Sequence, residues 1–396
     1  MRVAVVHHWF VTRGGGERVA ECIAALFPKA EIFTLVSSPV GLPKTLANRR
    51  LHTSFLQDLP LARTHHRHFL PLYPAATERL DLTGFDLVLS SDSGPIKGVR
   101  LSPGARQICY CHSPMRYLWD GFESYRLAMR GVTRAAFTAS AGHVRRWDAT
   151  AAQKVDWFIA NSRYVADRIQ RCYGREAEVL QPPIDLHRGL AVAEEPAGDH
   201  YLCAGRLVPY KRTEILIKAC LQLGRKLRIA GAGPEEPRLR AITRGSELIE
   251  FLGELSTADL WLEYARCRAL LFAADEDFGM VPLEAQACGR PVIAFGAGGS
   301  LETVRGAWAT LGTGPIRNGI TGLYFPEQTT ESAMEAIEAW EARFEQHFLP
   351  GNARGWASGF ATPVFLERYR QLVIRHVPEA ASAAIPASQA AAVVAG

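Results

Sequence analysis

Glu276 and Glu284 flank seven residues in the run Glu276-Asp277-Phe278-Gly279-Met280-Val281-Pro282-Leu283-Glu284. An ionised carboxylate accepts several hydrogen bonds, so two of them at one edge suit a polyhydroxyl ligand such as a sugar. Gly279 between them lets the backbone approach closely. The same residues also read as a solvated loop followed by a helix-start Glu. Cationic chemistry lies upstream, in Gly205-Arg206-Leu207-Val208-Pro209-Tyr210-Lys211-Arg212. There Arg206 can fork onto a phosphate and Lys211 can add a point charge. Two solvated basic residues are the plainer alternative. Gly14-Gly15-Gly16-Glu17-Arg18 and Gly296-Ala297-Gly298-Gly299-Ser300-Leu301-Glu302 are further Gly-rich turns. Backbone N–H groups at such a helix start favour an anion, although triple Gly is equally a flexible turn.

These groups need strands and helices to hold them. The apolar run before Glu276, residues 268–274, reads as a buried strand. Pro282 suits a first helical turn, and Gly289 before Pro291 ends that helix. The carboxylate pair therefore falls at the carboxyl edge of a parallel strand, where open α/β sheets bind ligands. The first half alternates strands at 2–6, 31–36, 85–90, 106–111 and 155–160 with helices at 16–26 and 162–173. The second half restarts with strands at 201–204, 226–230, 249–253, 269–274 and 291–295 and a helix at 210–223. That alternation predicts an α/β chain of two doubly wound parallel sheets. The expected limits are 1–185 for the first domain and 200–360 for the second, with a linker from Gln181 to His200. A closing helix over 361–376 and a disordered Ala-, Ser- and Pro-rich tail over 377–396 complete the chain.

At 396 residues, 48% hydrophobic and 21% charged, the chain has the composition of a globular enzyme of roughly two domains. A net charge of +5 is too small to argue for nucleic acid, but suits an anionic substrate or membrane surface. No apolar run nears the roughly 18 residues of a spanning helix. The start, Met1-Arg2-Val3-Ala4-Val5-Val6, reads as a strand and not as a signal peptide. The eight Cys lack Cys-x-x-Cys spacing and read as reduced, mostly buried thiols of a cytosolic protein. Dinucleotide binding would need a Gly-rich turn directly after the first strand and a carboxylate ending the second. Here the second strand ends in Leu35-Val36, and Gly231-Ala232-Gly233 runs into Pro234. No Gly-Lys-Ser/Thr loop supports a nucleoside triphosphatase.

In this order, the motifs resemble the family-4 glycosyltransferases of GT-B fold, in which two Rossmann-like domains face across a cleft. The resemblance covers about residues 1–375. It rests on Gly15-Gly16, His112-Ser113-Pro114, Gly205-Arg206 with Lys211, Gly231-Ala232-Gly233-Pro234, Phe251-Leu252-Gly253, Glu276 with Glu284, and the 296–303 loop. Val5-Val6-His7-His8-Trp9-Phe10, His112-Ser113-Pro114-Met115-Arg116-Tyr117-Leu118-Trp119-Asp120 and Glu276-Asp277-Phe278-Gly279 look more narrowly like mannosyltransferase-like members from bacterial O-antigen and exopolysaccharide clusters. The resemblance implies transfer of a hexosyl group, with retention, from a nucleoside diphosphate sugar to a glycan or lipid-linked glycan. GDP-mannose is the favoured donor, with other GDP- or UDP-sugars open, and no cofactor is implied. Arg206 and Lys211 would hold the diphosphate, Glu284 the ribose, and Glu276 the donor sugar. Backbone groups of Phe278, Gly279 and Met280 would line sugar and phosphate. Gly15 and Gly16 would approach the phosphate from the first domain, and His112 would hydrogen-bond the donor sugar. Gly205, Gly231, Gly233 and Leu252 complete the implied donor site. His112 also reads as a buried, satisfied histidine.

Asp275-Glu276-Asp277 matches an Asp-x-Asp metal motif, but its late position, fused to the carboxylate pair, implies no metal. Arg63, His65, His66, Arg67 and His68, with Arg145, Arg146 and Trp147, read as a basic exposed surface, a metal site at the three clustered His being the alternative. It could meet anionic lipid at the cytoplasmic face of the membrane, or be ordinary surface charge. The other functional readings are a sugar-nucleotide epimerase or glycan phosphorylase of the same fold, and a non-catalytic sugar-nucleotide-binding protein.

Overall fold

The computed structural model describes residues 1–309 and 318–395, which form two compact units, 1–183 with 362–395 and 184–361. The first unit is built on strands β1 Val3–Phe10, β2 Glu31–Ser37, β3 Leu51–Thr53, β4 Leu87–Asp92, β5 Arg106–Cys111, β6 Trp157–Ala160 and β7 Ala177–Val179. All pair in parallel, in the order β3-β2-β1-β4-β5-β6-β7. Val3 to Val6, Leu87 to Leu89 and Phe158 to Ala160 are buried without alternation, as a sheet covered on both faces requires. The helix Gly15–Leu26 covers one face with Val19, Ala20, Ile23 and Leu26.

β1 runs four residues beyond the expected end at Val6, staying paired with β2 as far as Phe10 beside Ser37. His7 and His8 are buried there because β4 supplies polar partners, which apolar patterning does not register. The short strands β3 and β7 and the long helix Gly131–Gln153 were also not legible from periodicity.

The chain end differs from expectation more. The helix Thr362–His376 returns to the first unit and buries Phe365, Leu366 and Tyr369 in its core. Residues 377–395 are not a disordered tail. They form a 3-10 turn, Pro378–Ser382, and a helix, Ala387–Ala395, whose Ala387, Ala390 and Val394 pack on the same core. Small alanines allow close packing on the Gly15–Leu26 helix, so low bulk here does not mean disorder. Arg18 donates to the Val394 carbonyl at 3.1 Å, and the Ile385 N–H donates to the Leu26 carbonyl at 2.9 Å.

The second unit has β8 Tyr201–Ala204, β9 Leu227–Ala230, β10 Ile249–Gly253, β11 Leu270–Phe272, β12 Val292–Phe295, β13 Gly306–Trp308 and β14 Gly322–Phe325. They are again parallel, in the order β10-β9-β8-β11-β12-β14-β13. The stretch expected as a linker is partly structured. Ile184 bridges Ala361, and the helix Leu186–Ala191 packs Gly189 so closely on Ala287 that an added Cβ would lie 2.7 Å from the alanine Cβ. The strand order reverses between β1 and β4 in the first sheet, and in the second between β8 and β11 and again at the edge, where β14 lies inside β13. Loops leaving the two strands of such a pair diverge, which opens a crevice at their carboxyl ends.

Candidate active site

In the second unit the central reversal falls between the two strands that carry the charged motifs. β8 ends at Ala204, and the chain turns through Gly205, at φ +128°, into the 3-10 turn Pro209–Lys211 and the helix Thr213–Leu223. β11 ends at Phe272 and leads to Glu276. The Lys211 ammonium and the Glu276 carboxylate form an ion pair across this point, both largely shielded. The Lys211 nitrogen also lies 5.3 Å from the centre of the Phe272 ring. Lys211 is thus already neutralised by a carboxylate. Arg206 is exposed, with no hydrogen bond or ion pair among the described residues. The structure brings Lys211 to Glu276, and Gly205 and Arg206 line one pocket with Lys211.

Gly231 and Gly233 reach the same edge from β9 but serve the loop beside them. A Cβ on Gly231 would lie 2.1 Å from the Gly205 carbonyl oxygen, and one on Gly233 2.2 Å from that of Leu207. The two loops are zipped by hydrogen bonds from the amides of Gly205 and Leu207 to the carbonyls of Ala230 and Ala232, at 2.9 and 3.0 Å. Leu252 is half-buried at the end of β10, beside Gly253 with φ +68°. The 296–303 loop packs as tightly on the carboxylate segment. The Gly299 amide donates to the Glu276 carbonyl at 2.8 Å, and a Cβ on Gly299 would meet the Phe278 carbonyl at 2.1 Å. The Phe278 ring is buried beside Phe360 and anchors the loop.

Gly279, at φ +91°, precedes the helix Met280–Ala287 and leaves the first helical N–H groups at the strand edge. Glu284 is one turn further on. Its Oε2 accepts from the Tyr264 hydroxyl at 2.9 Å, and burial pushes its pKa up. An electron-rich carboxylate with spare lone pairs remains to accept ligand hydroxyls. Tyr264, which orients it, carries no signal in the sequence.

The first unit places its polar residues at its own reversal point. Ser91 ends its β4 pairing opposite His7 and lies between two imidazoles. His7 Nδ1 is 3.0 Å from the Ser91 carbonyl and 3.1 Å from its hydroxyl, and His112 Nε2 is 2.8 Å from that hydroxyl. Gly16 covers both rings, an added Cβ falling 3.6 Å from each. Burial lowers the His112 pKa to about 3, keeping the ring neutral. Glu17 closes the helix start by turning its carboxyl to the Gly14 and Glu17 amides, one arm of a capping box, while burial raises it to about 7. Below the site, buried Lys97 bridges Asp92 at 3.2 Å and Asp148 at 2.5 Å, and Asp148 also accepts from Trp119 and Tyr173 at 2.8 Å each. Burial alone would lower the Lys97 pKa; Asp148 and Asp92 outweigh it and hold the ammonium charged. Sequence reading missed Ser91, Lys97, Asp92 and Asp148: Ser91 meets His112 and Lys97 meets Asp148 across long stretches of chain, and the short-range Asp92–Lys97 pair carries no periodic signal.

The basic surface needs correction at three positions. His66 is buried against Trp9, with burial and Arg67 lowering its pKa to about 4. Trp147 donates to Glu78 at 2.8 Å, and Arg145 donates to the Leu118 carbonyl at 2.5 Å over the Phe122 ring. Arg63, His65, Arg67, His68 and Arg146 are exposed, beside exposed Leu61 and Leu72. No helix among the described residues is long and apolar enough to cross a membrane.

Known proteins align with both units. Residues 13–188 match the family model described as Glycosyltransferase Family 4, and residues 194–345 the one described as Glycosyl transferases group 1. A D-inositol 3-phosphate glycosyltransferase of Geodermatophilus obscurus is 30% identical over 52% of this chain and 50% of its own. A GDP-mannose-dependent alpha-(1-6)-phosphatidylinositol monomannoside mannosyltransferase of Mycolicibacterium smegmatis is 31% identical over 45% of this chain and 56% of its own. The chain thus spans about half the length of the curated relatives it matches. Among solved structures, Anabaena HepE in complex with UDP-glucose superposes with a TM-score of 0.66 at 18% identity, covering 94% of this chain and 99% of that one. Sucrose-phosphate synthase from Thermosynechococcus elongatus gives 0.65 at 17%, covering 96% and 100%. At such identities these two share the fold.

Proposed function

As the chain belongs to the family-4 glycosyltransferases of GT-B fold, we propose that it moves a hexosyl group, mannosyl by preference, from a nucleoside diphosphate sugar to a glycan or lipid-linked glycan. The observation that carries this reading is the pairing of Lys211 with Glu276 at the central reversal point of the second sheet, with Arg206 lining the same pocket as Lys211 and Glu284 within electrostatic reach of Lys211. As the bond from the anomeric carbon breaks, its electron pair passes to the diphosphate. Arg206, Lys211 and the N–H groups after Gly279 are pre-set to stabilise that charge. Glu276 then takes a sugar hydroxyl, and Glu284 the ribose hydroxyls. In the first unit, this reading assigns a sugar oxygen to His112 and a phosphate to the Gly15-Gly16 helix start.

GDP-mannose as donor is supported by the mannosyltransferase relative, with UDP-sugars as the second choice. This reading gives the diphosphate charge to Arg206 and Lys211 and invokes no metal there. Assembly of a bacterial O-antigen or exopolysaccharide at the cytoplasmic face of the membrane is the setting this reading favours. A thermal-shift screen of GDP, UDP and ADP, followed by turnover of the stabilising nucleotide's sugars with and without acceptor and with EDTA, tests it. GDP stabilisation with acceptor-dependent, EDTA-resistant release of GDP is expected. Binding without turnover would favour a sugar-nucleotide-binding protein, and abolition by EDTA would refute metal independence.

A further inference from the structure

The three residues His7, Ser91 and His112 form a chain whose hydrogen positions follow from chemistry. A carbonyl oxygen only accepts, so the 3.0 Å contact between His7 Nδ1 and the Ser91 carbonyl requires a proton on Nδ1. That proton leaves the Ser91 hydroxyl, 3.1 Å away, unable to donate to His7. The hydroxyl's other partner among the described residues is His112 Nε2, at 2.8 Å. Were His112 protonated on Nε2, the Ser91 hydroxyl hydrogen would be buried with no acceptor, which costs a buried donor its hydrogen bond. The hydroxyl therefore donates to Nε2, and the neutral His112 ring carries its proton on Nδ1. The backbone keeps this alignment, since the His112 amide donates to the Asp92 carbonyl at 2.7 Å. His7 Nε2 is left as a buried lone pair without a hydrogen-bond partner among the described residues.

We infer that Ser91 and His7 are positioning residues that lock His112 as the Nδ1–H tautomer, so that His112 meets its ligand as a hydrogen-bond donor and not as a base. The inference deepens the transferase reading and rests on it for the ligand, a sugar oxygen. A donor at this place would hold the sugar without removing a proton from it. The test begins with imidazole 15N correlation spectra of the full chain, His7 and His112 being assigned through His7→Gln and His112→Gln. Both rings should be Nδ1–H. Ser91→Ala should let His112 populate both tautomers and lower kcat about 10-fold, with donor KM changed less than about 2-fold, because an interaction of the transition state is loosened. Ser91→Thr, which keeps the hydroxyl, should restore the single tautomer and most of kcat. An Nε2–H ring on wild-type His112 overturns the inference, as does a Ser91→Ala protein with wild-type kcat. The spectra are independent of turnover. A wild-type protein with both Nδ1–H rings that turns over no nucleoside diphosphate sugar would refute the transferase reading and still support the tautomer assignment.

Discussion

At the scale of single residues, the ion pair between Lys211 and Glu276 has two opposed consequences. A diphosphate must compete with Glu276 for Lys211, whereas Arg206 is exposed and open to it. Glu276→Gln should therefore bind the free nucleoside diphosphate several-fold more tightly while transferring sugar more slowly, since a neutral amide leaves Lys211 to the phosphate. Calorimetric titration beside initial rates measures both, and weaker nucleotide binding in this variant would argue against a phosphate role for Lys211. Arg206→Ala and Lys211→Met should each lose on the order of 2–4 kcal/mol of transition-state stabilisation. Steady-state kcat/KM at unchanged melting temperature is the check for Arg206, which touches no other described side chain through a polar contact. For Lys211, loss of the partner leaves Glu276 partly shielded and unpaired, so melting should be measured alongside.

Elements set the next scale, and the loops of the second sheet are packed backbone on backbone. Gly231→Ala would drive a methyl to 2.1 Å from the Gly205 carbonyl at a backbone angle of +130°. It should destabilise the second unit by more than about 2 kcal/mol and weaken nucleotide binding with it, as read by urea unfolding. In the first unit, the Gly15–Leu26 helix begins over Glu17, whose carboxyl is raised from 4.5 to about 7 by burial. A raised folded-state value means that its contribution to stability is fully present below about pH 4.5. That contribution is lost as pH rises through about 7. Glu17→Gln keeps the capping geometry without the charge. Its stability relative to the wild type should therefore increase by up to about 3 kcal/mol between pH 4.5 and pH 8, measured by denaturant unfolding at both pH values. A pH-independent difference would show that Glu17 is solvated.

On the scale of the whole molecule, the chain end belongs to the first unit. Truncation after His376 removes a helix that buries Ala387, Ala390 and Val394 and takes a hydrogen bond from Arg18. The truncated protein should melt several degrees lower, as expected when roughly 1–2 kcal/mol of burial is lost from a domain of this size. An unchanged melting curve would mean that the helix adds nothing. Membrane affinity is the other whole-molecule property. Exposed Arg63, Arg67 and Arg146 with the apolar tips Leu61 and Leu72 should bind anionic vesicles at low salt, at about 1 kcal/mol per basic residue near the surface, and release at high salt. Charge reversal at Arg63 and Arg67 should abolish sedimentation with such vesicles, whereas Arg145 and Trp147 variants should chiefly lower stability. Equal binding to neutral vesicles would remove the electrostatic explanation.

Period and punctuation alone determined two parallel α/β sheets and the motifs at their carboxyl edges, because buried parallel strands are continuous apolar runs and glycines mark the turns. Arg206, Lys211, Glu276 and Glu284 were legible for that reason: Arg206 and Glu276 lie in the turns just after a strand, and Lys211 and Glu284 in the helical turn or helix that comes next. Tertiary structure alone decided which groups meet. Ser91 beside His112, Tyr264 on Glu284, and Asp148 beneath Lys97 are separated by tens of residues, and a hydrogen bond between such partners leaves no periodic trace. It also decided that Gly231 and Gly233 admit a neighbouring backbone, and that His66 and Trp147 turn inward. A histidine or tryptophan is equally at home buried with a partner or exposed without one, and only the packed chain says which.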